Sequence, residues 1–115
     1  MHELSLARGL VERLEKIAKA ENARHVQRVL VLIGAYSGVE RAAFEFAFPF
    51  AAEGSLCEGA ALEIEETPVR VACADCGADT NPEPTFIQCA RCGSANVAIQ
   101  GGREFMIKTA DLEIP

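Results

Sequence analysis

RVACADCG (residues 70–77) and QCARCG (residues 88–93) place four of the chain's five cysteines in two pairs, Cys73 with Cys76 and Cys89 with Cys92, twelve residues apart. Each pair is followed at once by a glycine, Gly77 and Gly93. A metal knuckle needs backbone N–H groups aimed at sulfur and a turn through positive φ just after its second cysteine, which glycine makes without steric cost. Four thiolates in a closed tetrahedral set favour Zn²⁺ and leave no open position for catalysis. An iron centre or redox-active dithiols are the competing readings of the same cysteines. The spacer is slightly shorter than the commonest four-cysteine one, so a compact loop is expected.

Outward from the cysteines, both flanks alternate. ALEIEETPVRV leads in as a strand and REFMIKTADLEI leads out as another. Further upstream, Leu6, Leu10, Leu14 and Ile17, with Ala7, Val11 and Ala18, recur at three- and four-residue spacings between Leu4 and Lys19, one stripe of an amphipathic helix. Glu12 with Lys16 and Glu15 with Lys19 form i,i+4 pairs on its wet side. VQRVLVLIG, rich in β-branched residues and closed by Gly34, reads as a strand buried on both faces for much of its length. Ser37-Gly38-Val39-Glu40 fits a capping box for a second helix, expected to bury Val39, Ala43, Phe46 and Phe50 and to kink or stop at Pro49.

The order helix, strand, helix, strand, cysteine module, strand predicts an α+β fold. It comprises a small three-stranded sheet with two helices, plus a Cys₄ zinc-ribbon module inserted between the last two strands. In residue terms, 1–69 and 100–115 make the α+β domain and 70–99 the zinc-binding module.

The balance of 17 acidic against 11 basic residues gives a formal charge of −6, which disfavours nucleic acid as a partner. No run of 18 apolar residues exists, so no membrane-spanning helix is expected. The charged start, MHELSLARGLVERLEK, is unlike a signal peptide, and the cytoplasm is the expected compartment. Five cysteines in such a reducing compartment point to metal rather than disulfides. Cys57 stands alone and reads as a small buried residue rather than a nucleophile. Glu63, Glu65 and Glu66 read as a solvated strand edge rather than a metal or catalytic site, and His25 as a surface or capping residue.

MHELSLA at the start, IGAYSGVE, EGAALEIEE, the paired knuckles and the closing GREFMIKTADLEI together resemble the HypA/HybF family of nickel chaperones for [NiFe] hydrogenase maturation. The likeness runs over essentially the whole chain. Two positions depart from the family's pattern: Ala90 follows Cys89 where the family often has proline, and Pro49 stands in a helix the family usually continues. Neither is a metal ligand.

The resemblance implies a nickel site of Met1, His2 and Glu3, a structural zinc on Cys73, Cys76, Cys89 and Cys92, and no enzymatic activity. It also implies two partners, a HypB-type GTPase and the hydrogenase large-subunit precursor. The chemistry of the start agrees, provided that Met1 is retained. Its amine, the amide nitrogen of His2 and the His2 imidazole can close adjacent chelate rings, and the Glu3 amide can add a fourth nitrogen. Such a planar nitrogen set suits Ni²⁺. The Glu3 carboxylate would tune that site or complement the helix dipole. The competing function is a zinc-ribbon module for protein or nucleic-acid interaction without nickel delivery. A small metalloenzyme lacks a nucleophile with a base and a phosphate loop. Monomer and homodimer both stay open, the strand from Phe105 to Ile114 being an edge candidate for exchange.

Overall fold

A computed structural model describes residues 2–115, and Met1 lies outside the described residues. Eight elements follow in order: α1 (Glu3–Ala20), β1 (His25–Gly34), α2 (Arg41–Ala52), β2 (Ala61–Thr67), β3 (Arg70–Cys73), β4 (Asp79–Thr80), β5 (Val97–Gly101) and β6 (Phe105–Glu113). They form two three-stranded sheets, ordered β2-β1-β6 and β4-β3-β5. The chain gathers into two compact units.

The first unit holds both helices and comprises Met1–Val31, Val39–Ile64 and Ile107–Pro115. Most of the stripe read from the sequence is the buried face of α1: Ala7, Leu10, Val11, Leu14 and Ala18 are all within a few per cent of full burial, whereas Leu6 is half-buried and Ile17, near the helix end, is exposed. Removing that apolar surface from water, rather than intrinsic propensity, holds a helix of this length in place. The helix ends in a Schellman arrangement, with Asn22 at φ 57. The Ala23 N–H reaches the Ala18 carbonyl at 2.8 Å and the Asn22 N–H reaches the Lys19 carbonyl at 3.1 Å. Among the described residues no ion pair joins Glu12 to Lys16 or Glu15 to Lys19. Glu15 instead accepts the Leu56 N–H at 3.1 Å.

α2 packs against α1 but differs from its sequence reading in both cap and face. Its N-cap is Glu40, not Ser37: the Glu40 carboxylate accepts the N–H groups of Ala42 and Ala43 at 3.1 and 3.0 Å. The buried face is Phe44, Ala47, Phe48 and Ala52, while Phe46 and Phe50 are 73% and 62% exposed and Ala43 is exposed. Pro49 does not stop the helix, which runs on to Ala52. Pro49 and Glu45 both lie on the wet side, so the carbonyl deprived of its i→i+4 donor can turn to water.

The central position of β1 in its sheet accounts for its apolar run: Val26, Val29, Val31 and Ile33 are buried. β2 is an edge. Glu63, Glu65 and Glu66 are exposed on it, as a solvated edge requires, and Glu63 pairs with Arg28 of β1 at 3.1 Å.

The second unit, Leu32–Gly38 with Glu65–Met106, contains the four paired cysteines. ALEIEETPVRV is not one strand: it breaks at Pro68 and Val69 into β2 and β3. β3 pairs antiparallel with β4 (Val71 opposite Thr80) and with β5 (Cys73 opposite Val97). This small sheet has no counterpart in the sequence reading. Within the same unit Gly34 and Gly102 allow a close backbone crossing. A Cβ on Gly34 would stand 2.1 Å from the Gly102 carbonyl oxygen, and Gly102 itself adopts φ 108. The Gly34 N–H donates to the Glu104 carbonyl and the Tyr36 N–H to the Gly102 carbonyl, both at 2.7 Å. The Glu104 side chain completes the crossing by accepting from Thr67 Oγ1 at 2.7 Å and from the Gly102 N–H at 2.9 Å.

Candidate metal centres

Each cysteine pair forms a tight knuckle with the same hydrogen bonds. In the first, the Cys76 N–H points at Cys73 Sγ at 3.4 Å, and the Gly77 N–H closes onto the Cys73 carbonyl at 3.0 Å. In the second, the Cys92 N–H points at Cys89 Sγ at 3.5 Å and the Gly93 N–H reaches the Cys89 carbonyl at 2.8 Å. Gly77 and Gly93 sit at φ 76 and 79, the turn that the spacing requires.

The two knuckles face each other. Cys73 Sγ lies 3.6 Å from Cys92 Sγ and Cys76 Sγ lies 3.6 Å from Cys89 Sγ, with all four sulfurs within 4.8 Å of one another. A tetrahedral zinc at ~2.3 Å from each sulfur requires edges of about 3.8 Å, so the four-cysteine cluster fits a zinc site. Cys73 and Cys89 are buried, whereas Cys76 and Cys92 are exposed. The backbone N–H of Cys92 is the main cause that draws the Cys89 thiol down to about 6, and the Cys76 N–H lowers Cys73 in the same way. Thiolates stabilised by peptide N–H donors are good metal ligands.

Side chains that sequence reasoning did not single out join the knuckles. Ser94 Oγ donates to Asp75 Oδ2, and Asn96 Nδ2 donates to Asp75 Oδ1 at 3.4 Å. These bonds, Ser94's first, hold the Asp75 carboxyl below its ordinary value. The Ala90 N–H donates to Thr80 Oγ1 at 3.1 Å. The signal available in the sequence was the pair of positions at which the two knuckles differ.

The second candidate centre is at the chain's start. Of its three residues, Met1 lies outside the described ones. His2 is exposed and occupies the N-cap position of α1 without a side-chain capping bond, its carbonyl accepting the Leu6 N–H at 3.0 Å. Glu3 is the first helical residue and only 7% exposed, and its Oε2 accepts the Glu40 N–H at 3.2 Å. The first N–H groups of a helix have no acceptor within it, so amide nitrogens there can take another role at no cost to the helix.

The remaining candidates have structural roles. His25 Nε2 meets the Glu58 carbonyl oxygen at 2.7 Å, and Nδ1 lies 4.0 Å from Glu113. Cys57 is fully buried, and burial pushes its thiol up to about 11, which suits an unreactive core residue. Among the described residues no helix is long and apolar enough to cross a membrane.

Comparison with known proteins supplies the family. The family described as hydrogenase/urease nickel incorporation, metallochaperone, hypA matches residues 1–112. A hydrogenase maturation factor HypA of Rhodobacter capsulatus is 43% identical over 114 residues, covering 99% of each chain. Another, of Moorella thermoacetica, is 45% identical over 107 residues, 93% of this chain and 95% of the relative. The solution structure of the Ni metallochaperone HypA from Helicobacter pylori superimposes with a TM-score of 0.73 at 32% identity, covering all of both chains. Through a match that takes in the terminal Met-His-Glu, both helices and both knuckles, the chain belongs to the HypA family of nickel-incorporation metallochaperones.

Proposed function

We propose that this chain binds Ni²⁺ at its N-terminus and delivers it for maturation of a [NiFe] hydrogenase, with zinc on Cys73, Cys76, Cys89 and Cys92 serving only to hold shape. The observation that carries this reading is family membership over residues 1–112, a span that includes Met1, His2, Glu3 and both knuckles. The ligands are the Met1 amine, the His2 amide and imidazole nitrogens and the Glu3 amide nitrogen. A planar nitrogen set favours Ni²⁺ over Zn²⁺, while the four sulfurs favour zinc, so each end of the chain selects its own ion.

Delivery requires ligands that a recipient can reach, and the exposed N-cap position of His2 supports this. Its amide donors lie ahead of the first intrahelical bond, so taking up and losing the ion leaves α1 intact. The nitrogen donors shed protons as they bind, which makes binding proton-linked. The Glu3 carboxylate, engaged with Glu40, serves as an anchor rather than a ligand. A HypB-type GTPase and the hydrogenase large-subunit precursor are the partners in this scheme, and the cytoplasm is its place.

The test is a nickel titration of protein carrying its native start, beside His2→Gln and a version extended by two residues, with zinc assayed in all three. Wild type alone should take up one Ni²⁺ with a planar-site absorption band, and all three should keep zinc. Equal nickel binding by all three would remove the terminal site and leave the chain a zinc module.

A further inference from the structure

The two knuckles are a short repeat, Cys73-Ala74-Asp75-Cys76-Gly77-Ala78 against Cys89-Ala90-Arg91-Cys92-Gly93-Ser94. Their backbone hydrogen bonds repeat as well: the Cys73 N–H reaches the Ala78 carbonyl at 2.9 Å, and the Cys89 N–H reaches the Ser94 carbonyl at 2.8 Å. The halves differ at two positions only, Asp75 against Arg91 and Ala78 against Ser94. Those differences meet in space. Asp75 of the first knuckle accepts from Ser94, the residue that closes the second. The mirror-image pair, Arg91 with Ala78, has no side-chain acceptor to form the same bond.

Asn96 reinforces this single-sided closure. Its side chain donates to Asp75 at 3.4 Å, its carbonyl accepts the Ala74 N–H at 3.0 Å, and its own N–H donates to Ser94 Oγ at 3.0 Å. The loop of the first knuckle is thereby gripped, through its main chain and its carboxylate, by the segment leaving the second.

We propose that Asp75 is a positioning residue of the zinc centre, clasping the two knuckles together and so setting how slowly zinc leaves. The proposal rests on the zinc reading of the four cysteines. Release of zinc needs one pair of thiolates to swing away from the other, and the exposed sulfurs, Cys76 and Cys92, are where a competing ligand must enter. Cys76 is the neighbour of Asp75, so separating the pairs on that side breaks the Ser94 and Asn96 bonds first. Outer contacts that orient ligands commonly change metal retention by tenfold or more.

The experiment measures zinc transfer from the full chain to excess chromogenic chelator. Asp75→Ala and Ser94→Ala should each speed release about tenfold, and the double variant should be no faster than either alone, as coupled partners require. Asp75→Asn keeps an acceptor oxygen for Ser94 and, with the Asn96 amide turned over to accept, a bond to Asn96, all without the charge, so its rate should stay near that of wild type. The thermal transition of the helices, a readout of general damage, should not move. Release at the wild-type rate from Asp75→Ala and Ser94→Ala overturns the clasp while leaving the zinc site standing. So does an Asp75→Asn rate equal to that of Asp75→Ala, which would mark a charge effect. Wild-type protein that holds no zinc and takes up none removes the zinc reading itself, and the clasp with it.

Discussion

The Glu3 carboxylate accepts the backbone N–H of Glu40 at 3.2 Å, and Glu40 turns its own carboxylate onto the N–H groups of Ala42 and Ala43. One acid thus ties the first turn of α1 to the start of α2, and the next acid caps α2. Among the described residues of the first unit Glu3 is the buried charged one, and its carboxylate accepts a peptide N–H.

Glu3→Ala should therefore lower the melting temperature, while Glu3→Gln, which keeps an acceptor oxygen, should recover most of the loss. Both variants keep the backbone nitrogen at position 3, so both should still bind one Ni²⁺. Loss of nickel binding from a folded Glu3→Ala protein would make the carboxylate a ligand and overturn the amide assignment.

The faces of α2 make a second test. Phe44 is fully buried and Phe46 is 73% exposed, although the two are the same residue type two residues apart. Phe44→Ala should cost about 3–5 kcal/mol in urea unfolding. Phe46→Ala should stay within about 0.5 kcal/mol of wild type, as surface substitutions do. Equal costs would mean that the buried face has been misassigned.

That pair also shows where the sequence was legible. In α1 charged residues interrupt the apolar ones, so only one stripe is continuous, and most of it, Ile17 excepted, is buried. RAAFEFAFPFAA is apolar almost all round: Phe44 with Phe48 and Phe46 with Phe50 are two equivalent i,i+4 stripes, and nothing local chooses between them. The choice is made by packing against α1. The cap was misread because Ser37 is a preferred cap type and Glu40 is not, while the residue used, Glu40, is tied by its N–H to distant Glu3. The knuckles were fully legible, because spacing and glycine alone dictate their turns. The strands β4 and β5 were not, being too short to show a period. The Gly34–Gly102 crossing is a long-range contact with no local mark beyond two glycines.

Glu104, beside that crossing, carries a pH dependence. Its bonds, that from Thr67 first, hold its carboxyl below the ordinary value of 4.5. A lowered folded value means that its stabilisation is complete above the unfolded value and is lost as pH falls through the folded one. Glu104→Gln cannot titrate, so its stability should fall less steeply than that of wild type below about pH 4.5. Parallel acid-unfolding curves would show that Glu104 is not depressed.

Zinc removal tests how little else holds the second unit. Its buried side chains are chiefly Ile33, Val69, Val71, Pro82 and the two inner cysteines, and β4 is two residues long. So small an apolar core falls well short of offsetting the entropy of ordering the loops from 74 to 96. The four sulfurs lie within 4.8 Å of one another, and without a cation no bond gathers them there. Stripping zinc with a chelator at neutral pH should therefore deprotect the amides of Cys76, Gly77, Cys92 and Gly93 to hydrogen exchange. The interior amides of α1 should stay slow, because their helix is held by its own packing against α2. Far-ultraviolet circular dichroism should accordingly change little. If the knuckle amides exchange as slowly without zinc as with it, the peptide hydrogen bonds alone suffice to hold the module, and the metal is not what folds it.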